Sequence, residues 1–358
     1  MDKDGKIYVA GHTGLVGSSL LKNLQSKGYH NFVLRDIFEL DLRNQAQVFD
    51  FFEKEKPEYV ILAAAKVGGI VANNTYRAQF IYENLQIQNN VIHASWMNGV
   101  KKLLFLGSTC IYPCDAPQPM QENCLLTSPL EYTNEPYAIA KIAGIKMCES
   151  YNIQYGTNFI AVMPTNLYGP NDNFDLEKSH VLPALLRKIF LAKNLMNGDW
   201  VTIEKDFNRF PVEGISGKDS VDLILAKLAI YGINKDNVEI WGTGKPLREF
   251  LWSEEMADAC VYIMENVNFS DLIQEGKEIR NTHINIGTGK EISIANLAEL
   301  IAKNIGYEGK FVFNTSKPDG TMRKLTDPSQ LHRLGWKHKI DIEEGVSKLY
   351  AWYLKGLI

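Results

Sequence analysis

The sequence of 358 residues lacks the long apolar runs, cysteine motifs and basic charge that mark several classes of protein. No apolar stretch reaches the roughly 18 residues of a membrane-spanning helix, and the start Met1-Asp2-Lys3-Asp4 is unlike a secretory signal. The five cysteines form neither a CxxC pair nor a Cys/His zinc pattern. A net charge of −4 gives no basic surface for nucleic acid or an anionic membrane. We therefore expect a reduced, cytoplasmic protein without a metal, nucleic-acid or membrane partner.

Short apolar runs alternate with helical patterns over the first part of the chain. The runs at 6–10, 31–35, 59–65 and 102–108 are predicted strands, with helices predicted around 48–52 and 81–98. Runs of this kind with helices between them are typical of a parallel sheet that is covered on both faces. The sequence therefore predicts an α/β fold, a Rossmann-type doubly wound parallel sheet whose strand carboxyl ends lie along one edge.

A glycine-rich turn, GHTGLVG at 11–17, follows the first predicted strand. A helical apolar pattern at Leu20, Leu21 and Leu24 comes directly after it. Glycines at such a turn allow a tight bend and a close approach of the backbone to a pyrophosphate, which then faces the helix N-terminus. Strand, turn and helix in this order predict a dinucleotide-binding fold.

The pair Arg35-Asp36, after the second predicted strand, gives a mixed signal about the cofactor. An acid at this place binds the ribose hydroxyls of NAD, whereas an arginine favours the 2′-phosphate of NADP. We favour NADPH and leave NADH open. The alternative is a pair that merely faces solvent at the end of the strand.

Tyr137 and Lys141 lie four residues apart, on one face of a predicted helix downstream of Ser108. An ammonium beside a phenol lowers the pKa of the phenol, so we expect Tyr137 to exchange a proton with a carbonyl or hydroxyl near neutral pH. The YxxxK pattern alone is common. Its place downstream of the glycine turn and Ser108 favours a catalytic pair over two exposed helix residues.

Four segments in this order resemble the extended short-chain dehydrogenase/reductases. They are GHTGLVG at 11–17, STCIYP at 108–113, NEPYAIAK at 134–141 and MPTNLYGP at 163–170. Within that family these segments, with SHVLPA at 179–184, WGTG at 241–244, REFL at 248–251 and KPDGT at 317–321, resemble the GDP-4-keto-6-deoxy-D-mannose 3,5-epimerase/4-reductases. The resemblance covers nearly the whole chain. It implies NAD(P)H-dependent reduction of the C4 ketone of a GDP-4-keto-6-deoxy sugar with C3/C5 epimerisation, giving GDP-L-fucose or a related GDP-sugar.

The resemblance also implies a role for each matching residue. Ser108 and Tyr137 would bind the C4 oxygen, and Tyr137 would protonate it while the nicotinamide delivers hydride. Lys141 would hold the ribose hydroxyls, and Cys110 and His180 would move the protons at C3 and C5. The cofactor-binding residues would be Gly11, His12, Thr13, Gly14, Leu15, Val16, Gly17, Arg35, Asp41, Leu42, Leu106, Gly107, Ser108, Thr109, Lys141, Pro164, Thr165, Asn166, Leu167 and His180. The substrate-binding residues would be Lys188, Trp241, Arg248 and Asp319.

Several of these assignments have a structural alternative. Cys110 could be a buried apolar residue, and His180 could cap the helix that follows it. Ser108 could be a turn hydroxyl bonded to backbone, and Asp319 could belong to an ordinary Pro-Asp-Gly turn. The other cysteines are interpreted as structural; they are Cys114, Cys124, Cys148 and Cys260.

Three features depart from the family pattern. Thr13 and Ile37 stand where positive residues hold the 2′-phosphate, which leaves Arg35 for that role. Lys188 stands in place of a substrate-binding arginine, with Arg187 beside it. The segment 193–237 is a probable insertion relative to shorter members, and we favour a surface decoration over a lid or a wall of the sugar pocket. Its apolar positions, spaced like an amphipathic helix, are Val221, Ile224, Leu225, Leu228 and Ile230.

Two lobes and a homodimer are expected. Residues 1–173, with roughly 240–265, would form the NADP-binding Rossmann domain; 174–239 and 266–358 would form a smaller, mostly helical substrate-binding lobe. The helices at 81–98 and 137–155 would pair with a second copy, as in homodimers of this family. Tyr151 and Tyr155 could equally belong to the core.

Two other functions remain open from the sequence. One is a dedicated 4-reductase for another GDP-4-keto sugar, such as a heptose, without epimerase activity. The other is a cofactor-binding sensor that has lost catalysis, which predicts a broken Ser/Tyr/Lys set, whereas Ser108, Tyr137 and Lys141 are all present. A hydrolase is disfavoured because the sequence has no GxSxG elbow.

Overall fold

The structure, a computed structural model, describes residues 1–317 and 319–357; Pro318 of the KPDGT match and Ile358 lie outside them. The strands are β1 (Ile7–Ala10), β2 (Phe32–Val33), β3 (Tyr59–Leu62), β4 (Lys102–Leu106), β5 (Phe159–Pro164), β6 (Asn166–Tyr168), β7 (Asn237–Trp241), β8 (Leu247–Arg248), β9 (Phe250–Trp252), β10 (Ile284–Ile286), β11 (Ile292–Ser293), β12 (Lys310–Asn314) and β13 (Arg323–Lys324). The helices are α1 (Leu15–Ser26), α2 (Gln45–Glu55), α3 (Ile70–Thr75), α4 (Arg77–Met97), α5 (Glu135–Tyr155), α6 (Val181–Asn197), α7 (Trp200–Arg209), α8 (Val221–Ile230), α9 (Ser253–Asn266), α10 (Ile294–Ile305), α11 (Ser329–Arg333) and α12 (Ile342–Lys355).

Six strands form a parallel sheet in the order β10-β5-β4-β3-β1-β2. The predicted α/β fold with a parallel sheet is confirmed. The winding reverses at β1, because β2 lies on one side of it and β3 on the other. Doubly wound sheets bind their ligands beyond the carboxyl ends of the strands at such a switch point. Gly11 follows β1 at this edge, and Gly107 follows β4 at the same edge.

Two apolar layers cover the sheet, one on each face. Successive side chains of β1 alternate between them: Tyr8 packs in the layer of α2, α4 and α5, and Val9 packs in the layer of α1 and α9. Strands buried on both faces read as continuous apolar runs, which is why they were visible in the sequence. Each fully buried large side chain stabilises the fold by about 1.5–3 kcal/mol.

Polar side chains fix where several helices begin. The oxygens of Asn44, Asp199, Ser220 and Ser293 each accept the backbone N–H of a residue in the first turn, at the starts of α2, α7, α8 and α10. Such a bond satisfies one of the N–H groups that have no partner within the helix.

The chain divides into two compact units. The first consists of residues 1–167, 250–289 and 325–339, and the second of 168–249, 290–324 and 340–358. We expected 266–289 and 325–339 in the substrate lobe and 168–173 and 240–249 in the Rossmann domain, whereas each of these segments lies in the other unit. The short run Ile284–Ile286 adds the sixth strand of the sheet beside β5, and it brings its neighbours into the first unit.

The second unit combines helices α6, α7, α8, α10 and α12 with two small sheets, β12-β7 and β11-β8-β13. The helix predicted near 221–230 is α8. Only Ile224 and Leu228 of its predicted apolar positions are buried, whereas Val221, Leu225 and Ile230 are 42%, 37% and 68% exposed. No helix in the described part of the chain is both long and apolar enough to cross a bilayer.

The buried ammonium of Lys102 offers a test of the packing of α9 against the sheet. Its Nζ donates to the carbonyls of Ile263 and Met264, each at 2.9 Å, and to that of Val267 at the C-terminal end of α9. We predict that Lys102→Met lowers the free energy of unfolding by about 1–3 kcal/mol, because buried carbonyls lose their donor. Urea unfolding of this variant measures the loss.

The neighbouring Lys101→Met is the matched control for that experiment. Lys101 pairs with Glu58 at the surface, where its side chain is 59% exposed. Exposed ion pairs contribute about 0–1 kcal/mol, so this variant stays close to the parent. Equal stability of the two variants would contradict the role given to Lys102.

Candidate active site

The glycine turn of the first unit has the geometry that a dinucleotide requires. Gly11 has a φ of +82°, and a Cβ on it would lie 2.8 Å from the nitrogen of Ala64. A Cβ on Gly17 would lie 2.0 Å from the carbonyl oxygen of Gly11, so helix α1 can approach the strand only with glycine here. A Cβ on Gly14, in contrast, would meet only the carbonyl oxygen of Gly11, at an ordinary contact distance of 3.6 Å, so this part of the turn is less crowded and a phosphate can come close to the backbone.

Other features of this turn also fit a bound nucleotide. Helix α1 begins at Leu15, directly after Gly14, so its first N–H groups and its positive dipole end lie at the turn. The Nδ1 atom of His12 is buried and has no hydrogen-bond partner among the described residues. The residues present therefore fit a dinucleotide, in agreement with the sequence prediction.

Arg35 is not held toward the nucleotide edge in this structure. Its guanidinium donates to Glu55, at 2.7 Å, and to the carbonyl of Leu34, at 2.8 Å. Glu55 ends helix α2, and Lys6, at the opposite end of β1 from the glycine turn, donates to the same residue. No local sequence pattern indicates this ion pair, because Arg35 and Glu55 are 20 residues apart.

Asp41 and Leu42, two further predicted cofactor residues, take part in local contacts. The carboxylate of Asp41 accepts from Arg43, which holds the pKa of Asp41 below its usual value. The carbonyl of Leu42 accepts the side-chain amide of Asn90 at 2.9 Å. These contacts fix the loop after β2.

Ser108 and Cys110 lie on a 3₁₀ turn that follows strand β4. The Ser108 hydroxyl accepts the N–H of Cys110 at 3.4 Å, which is the backbone contact considered as an alternative role for this serine. Accepting this bond leaves the hydroxyl proton able to bind another oxygen. Cys110 is 7% exposed, and it lies close enough to Tyr137 and Lys141 to contribute to the pKa of each. The structure thus brings three of the predicted catalytic residues together with Ser108.

Helix α5 carries Tyr137 in its first turn and Lys141 one turn later. Pro136 is tolerated beside them, because the first turn of a helix does not use its N–H. Gly144 lets the helix lie close to β4, since a Cβ there would lie 2.5 Å from the ring of Phe105. The buried Lys141 Nζ donates to the carbonyl of Leu106 at 2.8 Å.

The pKa expected for Tyr137 is corrected by the structure. Burial, with a smaller contribution from Cys110, raises the pKa of Tyr137 above its usual value, and the lowering predicted from Lys141 is not seen. The ammonium is directed at Leu106 and lies 5.8 Å from the centre of the Tyr137 ring. Burial also lowers the pKa of Lys141 to about 8. Tyr137 is therefore a protonated phenol, suited to donate rather than to accept.

A buried polar network behind the catalytic turn was missed by the sequence analysis. Tyr112 donates to Asn285 Oδ1 at 2.6 Å and lies 3.0 Å from His283 Nε2. Since the phenol proton goes to Asn285, His283 donates from Nε2. Burial lowers the pKa of His283 to about 3, so the ring is neutral. No sequence signal connects these residues, because Tyr112 and Asn285 are 173 positions apart.

Other predicted cofactor residues lie at the end of β5, directly after it, and before the start of α6. Pro164 ends β5, the N–H of Thr165 donates to the carbonyl of Ile286 at 3.0 Å, and Asn166 and Leu167 continue into β6. His180, in the second unit, precedes α6 and makes no side-chain capping bond, so the capping alternative is not observed. Desolvation lowers the pKa of His180, which favours the neutral imidazole.

The four predicted substrate residues lie together in the second unit. Lys188 Nζ donates to the carbonyl of Glu239 in β7 at 2.9 Å, and Trp241 ends the same strand. Asp319 accepts from the backbone N–H of Thr243 at 2.7 Å and from its hydroxyl at 2.8 Å. Arg248 lies in β8. Burial lowers the pKa of Arg248, and the nearby carboxylate of Asp319 partly opposes this shift. Trp241 is 52% exposed and thus open to a ligand.

Arg187 and Lys188 are neighbours on α6 with different surroundings. Arg187 is fully buried and bonds Asp206 through Nε at 3.0 Å. Lys188 is 9% exposed, and burial lowers its pKa to about 8. Among the described residues, the Lys188 ammonium has one hydrogen-bond partner, the carbonyl of Glu239. Two of its three N–H groups can therefore bind a ligand. Lys188, not Arg187, is the cation that can meet a ligand.

Comparison with known proteins agrees with this arrangement. The model of the NAD dependent epimerase/dehydratase family matches residues 7–204 and 208–287. The chain belongs to the NAD dependent epimerase/dehydratase family.

Individual members of this epimerase/dehydratase family match nearly the whole chain. GDP-L-fucose synthase 1 of Arabidopsis thaliana is 51% identical over 356 residues, which are 99% of this chain and 95% of that protein. A GDP-6-OMe-4-keto-L-xylo-heptose reductase from Campylobacter jejuni is 50% identical, with a TM-score of 0.93 and 99% of each chain covered. A GDP-mannoheptose C4 reductase from the same organism, solved with NADP bound, is 49% identical with a TM-score of 0.88 and 99% of each chain covered.

The lowered pKa of Lys188 predicts a pH dependence of nucleotide binding. Lys188 loses its proton as the pH rises through about 8, and a neutral amine attracts a diphosphate less than an ammonium does. We expect the affinity for GDP to fall by up to about tenfold between about pH 7 and pH 9. Isothermal titration calorimetry at both pH values measures this.

The variant Lys188→Met is the control, because it keeps the titration of GDP itself and removes that of the lysine. Its GDP affinity is expected to be weaker at pH 7 and to change less with pH. An equal pH dependence in the parent and in Lys188→Met would contradict this role of Lys188.

Proposed function

We propose that this protein is an NADPH-dependent epimerase/reductase of a sugar nucleotide. It reduces the C4 ketone of a GDP-4-keto-6-deoxy sugar and epimerises C3 and C5, which gives GDP-L-fucose or a related GDP-sugar. The observation that carries this proposal is the grouping of Ser108, Cys110, Tyr137 and Lys141 at the end of β4 and the start of α5. A GDP-L-fucose synthase that matches 99% of the chain at 51% identity supports it.

Tyr137 and Ser108 serve the reductive step. When bound, the dihydronicotinamide supplies the hydride that C4 accepts. Tyr137, kept protonated by burial, donates its proton to the C4 oxygen as negative charge develops there. The Ser108 hydroxyl donates a second hydrogen bond to the same oxygen. Lys141 holds the ribose of the cofactor, and its bond to Leu106 keeps it at the end of β4.

Cys110 and His180 serve the epimerisation. A C4 ketone makes the hydrogens on C3 and C5 acidic, so a base and an acid suffice to invert both carbons. Cys110 is the base and His180 the acid, because a thiol and an imidazole can both exchange protons near neutral pH. The lowered pKa of His180 makes its protonated form a stronger acid, although it also makes that form less populated. The same polarised C4 carbonyl then serves both reactions.

NADPH is the cofactor that we assign to the glycine turn. The NADP-bound GDP-mannoheptose C4 reductase, at 49% identity over 99% of each chain, supports this choice. Since Arg35 is engaged by Glu55, the 2′-phosphate has to displace this ion pair or bind to other groups. The GDP half of the substrate binds to the second unit. Its diphosphate binds to Lys188 and Arg248, and its sugar or base packs against Trp241. Asp319 fixes the turn that follows Trp241 through its bonds to Thr243.

A second candidate is a dedicated 4-reductase for a GDP-4-keto heptose. The specific observation that favours it is the TM-score of 0.93, over 99% of both chains, with the heptose reductase from Campylobacter jejuni. That reaction needs Tyr137 and Ser108 but not a base at Cys110.

A homodimer in the cytoplasm completes the proposal. Helices α4 and α5 pack against each other and expose apolar side chains, among them Tyr82, Met97 and Ile153, at 61%, 55% and 55%. We infer that a second copy covers this surface. Tyr151 packs against the core, which agrees with the alternative noted for it. All five cysteines are free thiols.

The choice of sugar is tested by NADPH oxidation with two substrates, a GDP-4-keto-6-deoxyhexose and a GDP-4-keto heptose. We expect kcat/KM to be at least about tenfold higher for the hexose, since a pocket shaped for one chain length discriminates by that order. The reverse preference would replace the first candidate by the heptose reductase. Activity with neither substrate would contradict both.

The division of labour between Tyr137 and Cys110 predicts opposite effects of two variants. Tyr137→Phe should lower kcat for reduction by about 10²–10⁴, the usual size of a lost proton donor, and leave NADPH binding intact. Cys110→Ser should retain reduction but lose deuterium uptake at C3 and C5 in D₂O. NADPH oxidation and NMR of the product measure the two effects.

The control for the thiol is Cys114→Ser, because Cys114 is exposed and outside the site. It should leave both reactions unchanged. Undiminished deuterium uptake in Cys110→Ser, or near-normal turnover in Tyr137→Phe, would contradict the assigned roles.

A further inference from the structure

A buried ion pair joins three helices of the second unit. Arg187 of α6 donates to Asp206 of α7 through Nε at 3.0 Å, and its Nη2 lies 2.9 Å from the same oxygen. Tyr353 of α12 donates to the other oxygen of Asp206. All three side chains are 0% exposed. We call these three residues the Arg187 cluster.

The Arg187 cluster leaves little freedom to the guanidinium. A third bond runs from Nη1 to the carbonyl of Phe174 at 2.9 Å, and Nη2 also donates to the carbonyl of Phe210. The guanidinium carbon lies 5.4 Å from the centre of the Phe210 ring and 5.7 Å from that of Phe207. A buried charge without its partner is strongly unfavourable, so Asp206 is required for Arg187 to stay inside.

Asp206 lies within the segment 193–237, which the sequence analysis favoured as a surface decoration. Helix α7 buries Ile203, Asp206 and Phe207 against the rest of the unit. The segment therefore supplies a counter-ion to α6, and α6 is the helix that carries Lys188. A surface decoration would not contribute a side chain to the interior of the unit.

Fixing Arg187 also fixes the direction of its neighbour. Consecutive residues on an α-helix point about 100° apart, so a helix whose Arg187 faces α7 and α12 must direct Lys188 elsewhere. In the structure Lys188 reaches the Glu239 carbonyl in β7, the strand that ends in Trp241. A rotation of α6 would withdraw Lys188 from this strand, and the bonds of Arg187 oppose such a rotation.

We propose that Asp206 and Tyr353 are positioning residues, which hold α6 through Arg187 so that Lys188 meets the diphosphate of a GDP-sugar. This inference rests on the proposed function, because it takes Lys188 as a ligand of the diphosphate. It gives the 193–237 segment a part in substrate binding without contact to the substrate.

The test uses the full-length protein and measures the binding of GDP and of NADPH separately. Tyr353→Phe removes one hydrogen bond of the cluster, and Asp206→Asn removes its charge. We expect the Kd for GDP to rise about three- to tenfold in Tyr353→Phe and more in Asp206→Asn, because coupling free energies between interacting groups correspond to changes of this size. The Kd for NADPH should be unchanged in both variants. Steady-state kinetics should show a higher KM with little change in kcat.

The matched control is Tyr29→Phe. Tyr29 is also a buried tyrosine that donates to a carboxylate, Glu265 at 2.8 Å, but it lies in the first unit. It should leave the Kd for GDP unchanged. If Asp206→Asn does not fold, the pair Tyr353→Phe and Tyr29→Phe decides. An unchanged Kd for GDP in Tyr353→Phe, or an equal loss of GDP and NADPH binding, would overturn the proposal.

Lys188→Met separates this inference from the proposed function. If GDP binding weakens in Lys188→Met but not in Tyr353→Phe and Asp206→Asn, Lys188 binds the diphosphate and the positioning role is wrong. If GDP binding is unchanged in Lys188→Met, the assigned phosphate ligand is itself wrong, and the positioning role falls with it.

Discussion

The hydrogen bond from the buried Lys141 ammonium to the carbonyl of Leu106 is the interaction on which the arrangement of the candidate catalytic residues depends. It ties the first turns of α5 to the end of β4, where the turn with Ser108 and Cys110 begins. Gly144 makes the close approach of the two elements possible, because any larger residue would meet the Phe105 ring. The order of the strands then places this turn at the same edge as the glycines that follow β1.

Burial at this place acts on the two titratable partners in opposite directions. It raises the pKa of Tyr137 and lowers that of Lys141, since a low-dielectric environment disfavours both the phenolate and the ammonium. The protonated tyrosine suits the donation of a proton to a developing alkoxide.

The sequence alone predicted the fold class and the nearness of Tyr137 to Lys141, because both follow from local patterns. Strands buried on both faces appear as apolar runs, and a glycine turn and a Tyr/Lys pair have fixed spacings. Contacts between distant residues were not predictable. Three such contacts depend on packing: the pairing of Arg35 with Glu55, the Tyr112–Asn285 bond, and the ion pair of the fully buried Arg187 with Asp206. The same holds for Ile284–Ile286, which is too short to be recognised as the sixth strand without its neighbour β5.

The proposed function combines epimerisation and reduction of a GDP-4-keto sugar in one protein. Its most direct test is NMR of the product formed in D₂O from GDP-4-keto-6-deoxy-mannose and NADPH. We expect the product spectrum to show GDP-L-fucose that carries deuterium at C3 and C5. A reduced sugar without deuterium at these carbons would contradict the epimerase function and leave a dedicated 4-reductase.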